Sequence, residues 1–269
     1  MALRKYGLIG LPLEHSFSRL YFTEKFSAEN IDAEYNLYPL KHPDEFIQLI
    51  RSEGNLTGLN VTIPYKEAII PFLDELSPEA LAIGAVNTIS FRKNRESLWL
   101  CGHNTDAPAF ESEIQHFTEK IKGNALVLGN GGAAKAAVYV LNKLGWNVKQ
   151  LVRSMEKIRN TSSESDLKME SILSYDQADQ KLLKATALIV NATPVGMYPE
   201  VNGLPPIPVE YLSKKHLIFD MIYNPETTRL IQSGNDCGAK TSNGMGMLKK
   251  QAELSWKIWQ IENNIQVIE

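Results

Sequence analysis

The stretch Ala125-Leu126-Val127-Leu128-Gly129-Asn130-Gly131-Gly132-Ala133-Ala134 decides how the rest of this 269-residue chain is read. Its four apolar residues make a short buried strand, and the glycines behind them supply the backbone freedom of a tight turn. An apolar stripe follows at Ala134, Ala137, Val138, Leu141 and Leu144, with Gly145 after it, which reads as a helix ended by a glycine. A strand, tight turn and helix in this order bring several backbone N–H groups and the positive end of a helix dipole to one point, where a pyrophosphate binds well. The spacing fits G-x-G-x-x-[GA] with Ala134 in the last place, the dinucleotide fingerprint in its alanine variant. Glycines also serve ordinary turns, but the flanking strand and helix favour a nucleotide here. Gly129, Asn130, Gly131, Gly132, Ala133 and Ala134 are therefore the expected cradle.

The next strand, residues 148–152, ends at Arg153-Ser154-Met155-Glu156-Lys157. An NAD-binding unit carries an acid about 20 positions beyond its glycines to grip the ribose 2′-hydroxyl. No acid stands at this strand end. Arg153, Ser154 and Lys157 offer donors and positive charge instead, as a 2′-phosphate requires, and NADP is the expected cofactor; the alternative is a solvated basic turn. Residues 160–166, rich in Ser, Thr and charge, read as a surface loop. Residues 187–190 and 217–221 read as further strands. The loops leaving them, one with Thr193 and one with Met221, Tyr223 and Asn224, exit at strand carboxyl ends, the side on which open α/β sheets collect ligands.

Upstream, residues 5–9, 33–40 and 59–62 read as strands, with helices between them after Ser18 and over 43–51. That β-α-β-α order indicates an α/β fold with a mostly parallel sheet. Ser16 and Ser18 read first as helix-capping residues, Ser18 as the cap itself. Thr62 and Lys66 follow the carboxyl end of the third strand. Most lysines are solvated surface groups. Lys66, however, is expected in a first helical turn, where a cation opposes the dipole and propensity gives no reason for it. Ser77-Pro78-Glu79 opens a helix that Gly84 ends, and residues 85–91 and 97–103 form a hairpin around a polar turn. Asn87, at its edge, is a turn residue or a ligand contact. Asp106 stands before a helix expected to reach about residue 121 and serves first as a helix-start acid. Gly244 and Met245 enter a last helix whose Leu248, Ala252, Leu254, Trp256 and Ile258 read as core, with Gln251 the polar exception.

Hydrophobic content of 43%, charged content of 22% and a net charge of −3 without a basic run describe an ordinary globular protein and argue against nucleic acid as its main partner. Two cysteines, Cys101 and Cys237, make no disulfide framework and no metal-ligand spacing. The N-terminus lacks an apolar signal core, and no run approaches the about 18 apolar residues of a membrane span. The expectation is a cytoplasmic, non-membrane protein without a metal, acting on a small molecule.

Taken together, the residues resemble the shikimate dehydrogenase family. The likeness rests on Asn60-Val61-Thr62-Ile63-Pro64-Tyr65-Lys66, Gly84-Ala85-Val86-Asn87-Thr88, Asn104-Thr105-Asp106, Gly129-Asn130-Gly131-Gly132-Ala133, Asn191-Ala192-Thr193-Pro194-Val195-Gly196-Met197 and Gly244-Met245-Gly246-Met247-Leu248, which fall in the family's order over nearly the whole chain. The resemblance implies reversible NADPH-dependent reduction of 3-dehydroshikimate to shikimate in aromatic amino-acid biosynthesis. It implies two domains: a substrate-binding α/β domain over 1–104 and 246–269, to which the C-terminal helix returns, and a Rossmann-type NADP-binding domain over 105–245. Position by position, Lys66 and Asp106 would be the catalytic pair. Ser16, Ser18, Thr62, Asn87, Tyr223 and Gln251 would hold the substrate. Residues 129–134, Arg153, Ser154, Lys157, Thr193, Met221 and Gly244 would contact the cofactor.

The chain departs from the family's usual pattern at Arg19, where proline is common, at Ala107 and Ala109, where glycines are common, and at Val152, where asparagine is usual. Such departures bear on the substrate mouth, on the geometry of a helix start and on the adenosine side. Two alternatives stand beside the first reading. One is a quinate/shikimate dehydrogenase paralogue. The other is a non-catalytic cofactor-sensing protein on the same scaffold, whose signature would be the loss of Lys66 or Asp106; both are present. A monomer and a homodimer are equally compatible with the sequence.

Overall fold

The computed structural model describes residues 3–14, 16–93, 98–119, 121–156 and 171–265. Two compact units emerge, one of Met1–Thr105 with Gln251–Glu269 and the other Asp106–Lys250.

The first unit begins β1 Arg4–Gly10, α1 Phe17–Ala28, β2 Ala33–Pro39, α2 Glu45–Ser52 and β3 Leu56–Val61, and continues β4 Glu75–Leu76, α3 Pro78–Ile83, β5 Thr88–Lys93 and β6 Leu98–His103. Its six-stranded sheet runs β2-β1-β3-β5-β6-β4. β1 is parallel to β2 and β3, β4 is parallel to β6, and β5 alone runs against its neighbours. Alternation along β1 sends Tyr6 and Leu8 into one core and Ile9 into another on the opposite face. α3 is delimited as its sequence demands: the Ser77 side chain accepts the Ala80 N–H, Pro78 opens the first turn, and Gly84 closes it at φ 67°.

The second unit holds α4 Asp106–Thr118, β7 Asn124–Leu128, α5 Gly132–Lys143, β8 Asn147–Val152, β9 Ile172–Ser174, α6 Gln180–Ala185, β10 Leu188–Asn191, β11 Leu217–Asp220, α7 Arg229–Asp236 and β12 Lys240–Ser242. All six strands are parallel, in the order β12-β11-β10-β7-β8-β9. The chain therefore starts at β7, winds outward through β8 and β9, and returns to β7's other side at β10. This is the Rossmann order, with its switch point between β7 and β10.

The last helix, α8 Met245–Ile265, contributes its residues from Gln251 onward to the first unit. There Trp256 and Trp259 pack among Tyr6, Phe22, Phe26 and Tyr35. Trp259 is fully buried and donates its indole N–H to the Ile89 carbonyl at 3.0 Å. Its ring lies so close to Gly58 that a Cβ there would collide with it.

The structure corrects several local expectations. The cap of α1 is Ser16, whose hydroxyl accepts the Ser18 N–H at 3.3 Å, and Ser18 lies inside the helix. No α-helix begins at Lys66: residues 63–69 form successive turns leading to a short 3-10 segment, Ile70–Phe72, so the dipole argument for that lysine lapses. The hairpin's first strand starts at Thr88 rather than residue 85, and α4 stops at Thr118, with Glu119 at φ 50°. The surface-loop expectation for residues 160–166 and residues 94–96 of the hairpin's polar turn lie outside the described residues, while Lys93, expected in that turn, ends β5.

Candidate functional site

In the first unit Ser16, Ser18 and Thr62 follow the carboxyl ends of β1 and β3, Asn87 precedes β5, and Gln251 lies on α8. The Thr62 N–H bonds to the Ile9 carbonyl at 2.9 Å and the Leu11 N–H to the Ile63 carbonyl at 3.0 Å, which ties the turn after β1 to the turn after β3. Gly10 allows this approach, because a Cβ there would strike Thr62 and the Ile63 carbonyl. Lys66 is half-buried, and its carbonyl accepts the Val86 N–H at 2.7 Å, next to Asn87. Asn87 in turn accepts the Thr105 N–H at 2.7 Å and donates to the Thr105 hydroxyl at 2.9 Å, fixing the residue before Asp106. Arg19 is exposed on α1.

Beneath these groups lies a buried polar network. Asn60 accepts the Tyr35 hydroxyl at 2.8 Å and donates to the Ser255 hydroxyl at 2.9 Å and to the Asn87 carbonyl at 3.2 Å. The Thr88 hydroxyl meets Ser255 at 2.7 Å, and Ser255 donates to the carbonyl of Gln251 one turn earlier at 2.9 Å. Tyr35 also hydrogen-bonds Ser18; burial outweighs that bond and holds the phenol well above its ordinary pKa, so it stays a neutral donor. Ser18, Asn87 and Gln251 are thus joined through Tyr35, Asn60 and Ser255. Of these connecting residues the sequence offered one signal, a polar Asn60 between the apolar Leu59 and Val61 of β3.

In the second unit the fingerprint forms as its spacing predicts. Gly129 adopts φ 107°, and its N–H and C=O are held by the Leu151 carbonyl at 2.9 Å and the Gln150 side chain at 2.7 Å. α5 starts at Gly132 with Gly131 as its cap, a residue with no side chain to bond the first-turn N–H groups. A Cβ on Gly131 would meet nothing within 4 Å, so the backbone faces open space there. Ala134, Ala137, Val138 and Leu141 are buried along the helix as expected.

The other expected cofactor residues follow the carboxyl ends of neighbouring strands or precede the last helix. Arg153 is exposed and Ser154 half-buried just past β8, and Val152 is buried at its end. Lys157 lies outside the described residues. Gly129 abuts Thr193 across the switch point: a Cβ on the glycine would lie 3.0 Å from the Thr193 methyl. Gly244 presses on the Met221 carbonyl, where any side chain would clash, and donates its N–H to the Ile222 carbonyl at 3.0 Å. Tyr223, expected to touch substrate, belongs to this unit, in the loop after β11. Asp106 is buried as the first residue of α4, and Ala107 and Ala109 are buried on the same helix.

One group escaped the sequence reading. Asp220, fully buried at the end of β11, accepts the Asn191 amide at 2.9 Å, the Ile222 N–H at 3.1 Å and the Thr228 hydroxyl at 2.7 Å. Burial pushes its carboxyl up to about 6 despite these three donors. Its signal was an acid closing an apolar strand.

No metal cluster of three or more His, Cys, Asp or Glu occurs among the described residues, and no described helix is long and apolar enough to cross a membrane. Both cysteines are free thiols.

Comparison with known proteins places this geometry. Residues 8–89 match the shikimate dehydrogenase substrate binding domain. The shikimate dehydrogenase (NADP(+)) of Desulforamulus reducens is 35% identical over 94% of this chain and 88% of its own length. Among solved structures, shikimate dehydrogenase from Aquifex aeolicus superposes with a TM-score of 0.83 at 29% identity, covering 99% of this chain and 98% of that one. Shikimate 5-dehydrogenase from Thermus thermophilus, in complex with NADP(H) and shikimate, gives 0.80 at 30% identity over 95% and 93%. A parallel Rossmann unit with an open glycine turn, a second α/β unit carrying the ordered motifs, and relatives matched over almost their full length lead to one assignment: the chain belongs to the shikimate dehydrogenase family.

Proposed function

We propose that this chain catalyses the reversible NADPH-dependent reduction of 3-dehydroshikimate to shikimate. The observation that carries this reading is the 35% identity to a shikimate dehydrogenase (NADP(+)) over 94% of the chain, with Lys66, Asp106 and the glycine turn all present.

The residues fit the cofactor. An uncapped helix start facing open space at Gly131 suits a pyrophosphate, and Arg153 with Ser154 suits a 2′-phosphate. Bound NADPH supplies the hydride. Residues 129–134 would hold the phosphates, and Thr193, Met221 and Gly244 would contact the nicotinamide side; Lys157 is the further basic residue that the sequence offers for the 2′-phosphate. In the substrate unit Ser16 and Ser18 take the carboxylate, and Thr62, Asn87, Tyr223 and Gln251 take hydroxyls. The Lys66 ammonium gives its proton to the ketone oxygen as negative charge develops there, and Asp106 orients the ammonium. In the reverse direction neutral Lys66 accepts the hydroxyl proton. Met1–Thr105 with Gln251–Glu269 is then the substrate domain and Asp106–Lys250 the NADP domain. We place the reaction in the cytoplasm, consistent with two unpaired thiols.

Initial rates with shikimate and quinate, each with NADP and NAD, test this. Turnover is expected with shikimate and NADP. Absence of turnover with shikimate and either cofactor would overturn the reading, and a preference for quinate would reassign the substrate.

A further inference from the structure

We propose that Asp220 is a positioning residue for the nucleotide site: its buried carboxylate ties the loop after β10 to the loop after β11 and to the start of α7, and these loops keep their binding shape only while it is ionised. The inference rests on the NADP reading of the second unit.

The connections run in both directions from the carboxylate. Through its amide, Asn191 hangs on one Asp220 oxygen, and its own carbonyl oxygen accepts the Thr193 N–H at 3.1 Å and the Thr193 hydroxyl at 2.6 Å. The Thr193 hydroxyl then accepts the Val195 N–H at 3.3 Å. Thr193 is the residue packed against Gly129. The same Asp220 oxygen accepts the Ile222 N–H, and the Ile222 carbonyl accepts the N–H of Gly244, which lies on Met221. The other oxygen takes the Thr228 hydroxyl, whose own oxygen caps α7 by accepting the Ile231 N–H at 3.2 Å. One carboxylate thus stands under Thr193, Met221 and Gly244 without being placed to touch the nucleotide itself.

Ionisation matters because every partner is a donor. The groups facing Asp220 from β10, from the loop after β11 and from α7 are Asn191, the Ile222 N–H and Thr228, all neutral. A proton on the Thr228-facing oxygen opposes the hydroxyl hydrogen already directed there. A proton on the other oxygen displaces Asn191 or Ile222. The first placement forces the Thr228 hydroxyl to turn round and accept, the second breaks a strut outright, and burial brings that event to about pH 6.

Asp220→Asn keeps the shape and puts a donor where the protonated acid would have one. At pH 7.5 it is expected to bind NADP about fivefold more weakly, as the loss of one hydrogen bond implies. Wild-type affinity for NADP should fall as pH drops through 6 more steeply than that of Asp220→Asn, the 2′-phosphate contributing equally to both proteins. Equal affinity and equal pH slopes would overturn the proposal. Amide protection factors at Thr193, Val195 and Ile222, read without cofactor, keep the test independent of the NADP reading. They should drop below pH 6 in the wild type and be low throughout in the variant; unchanged protection overturns the positioning role even where NADP binds. Should Asp220→Asn not fold, Thr228→Val removes one donor and should move the wild-type midpoint upward, and an unmoved midpoint counts against the proposal.

Discussion

Lys66 owes its position to its neighbours on the chain and across the sheet: β3 delivers it, and the bond from Val86 to its carbonyl fixes its backbone beside Asn87. Replacing it with methionine keeps the stem and removes only the proton donor. Turnover of Lys66→Met is expected to fall on the order of 10²–10⁴-fold with little change in the KM for shikimate, which steady-state kinetics would read; undiminished turnover refutes the assignment. At this scale the sequence was informative unevenly. Glycines announce themselves because few residues replace them at φ 107° or against a carbonyl, as Gly129 and Gly244 show. Hydroxyls do not. Ser16 rather than Ser18 caps α1, since both lie within reach of the same helix start and one residue of offset leaves no trace in composition. Tyr35 reads as an ordinary strand aromatic, and only the fold brings it between Ser18 and Asn60.

Elements with a strong period were readable and short ones were not. The two-residue β4, the three-residue β9 and β12, and the short helices α6 and α7 carry too few apolar positions to define a period, and pairing with a longer neighbour is what makes the strands among them strands. The last helix was legible as apolar, yet its partner was not: Trp259 fits the sheet only because Gly58 has no side chain. Trp259→Ala should cost about 3–5 kcal/mol of stability by leaving a cavity, and Gly58→Ala about 1–3 kcal/mol by overpacking. Since the first change opens the space the second intrudes on, the double mutant should lose less than the two single losses combined, measured by urea denaturation. Simple additivity would show that the contact is not what fixes the helix.

At the scale of the whole molecule, two sets of core residues come entirely from the first unit and another entirely from the second. A ligand held by one unit stabilises that unit's folded state by mass action, about 2.7 kcal/mol at 100 times its dissociation constant. Calorimetry is therefore expected to resolve two transitions, with NADP raising the midpoint of one by several degrees and moving the other less. A single transition that shifts as a whole would mean that the units unfold as one.

The discontinuity of the first unit also sets an order of events at the ribosome. Residues of β1 to β6 leave the exit tunnel early, but the tryptophans that fill the space beside Tyr6 and Gly58 are encoded after all of Asp106–Lys250. At translation speeds of about 5–20 residues per second, the sheet's aromatic face waits on the order of ten seconds for its covering helix. The Rossmann unit, whose strands follow one another in the chain, is complete before the unit that precedes it, so the later half of the nascent protein can close before the earlier one.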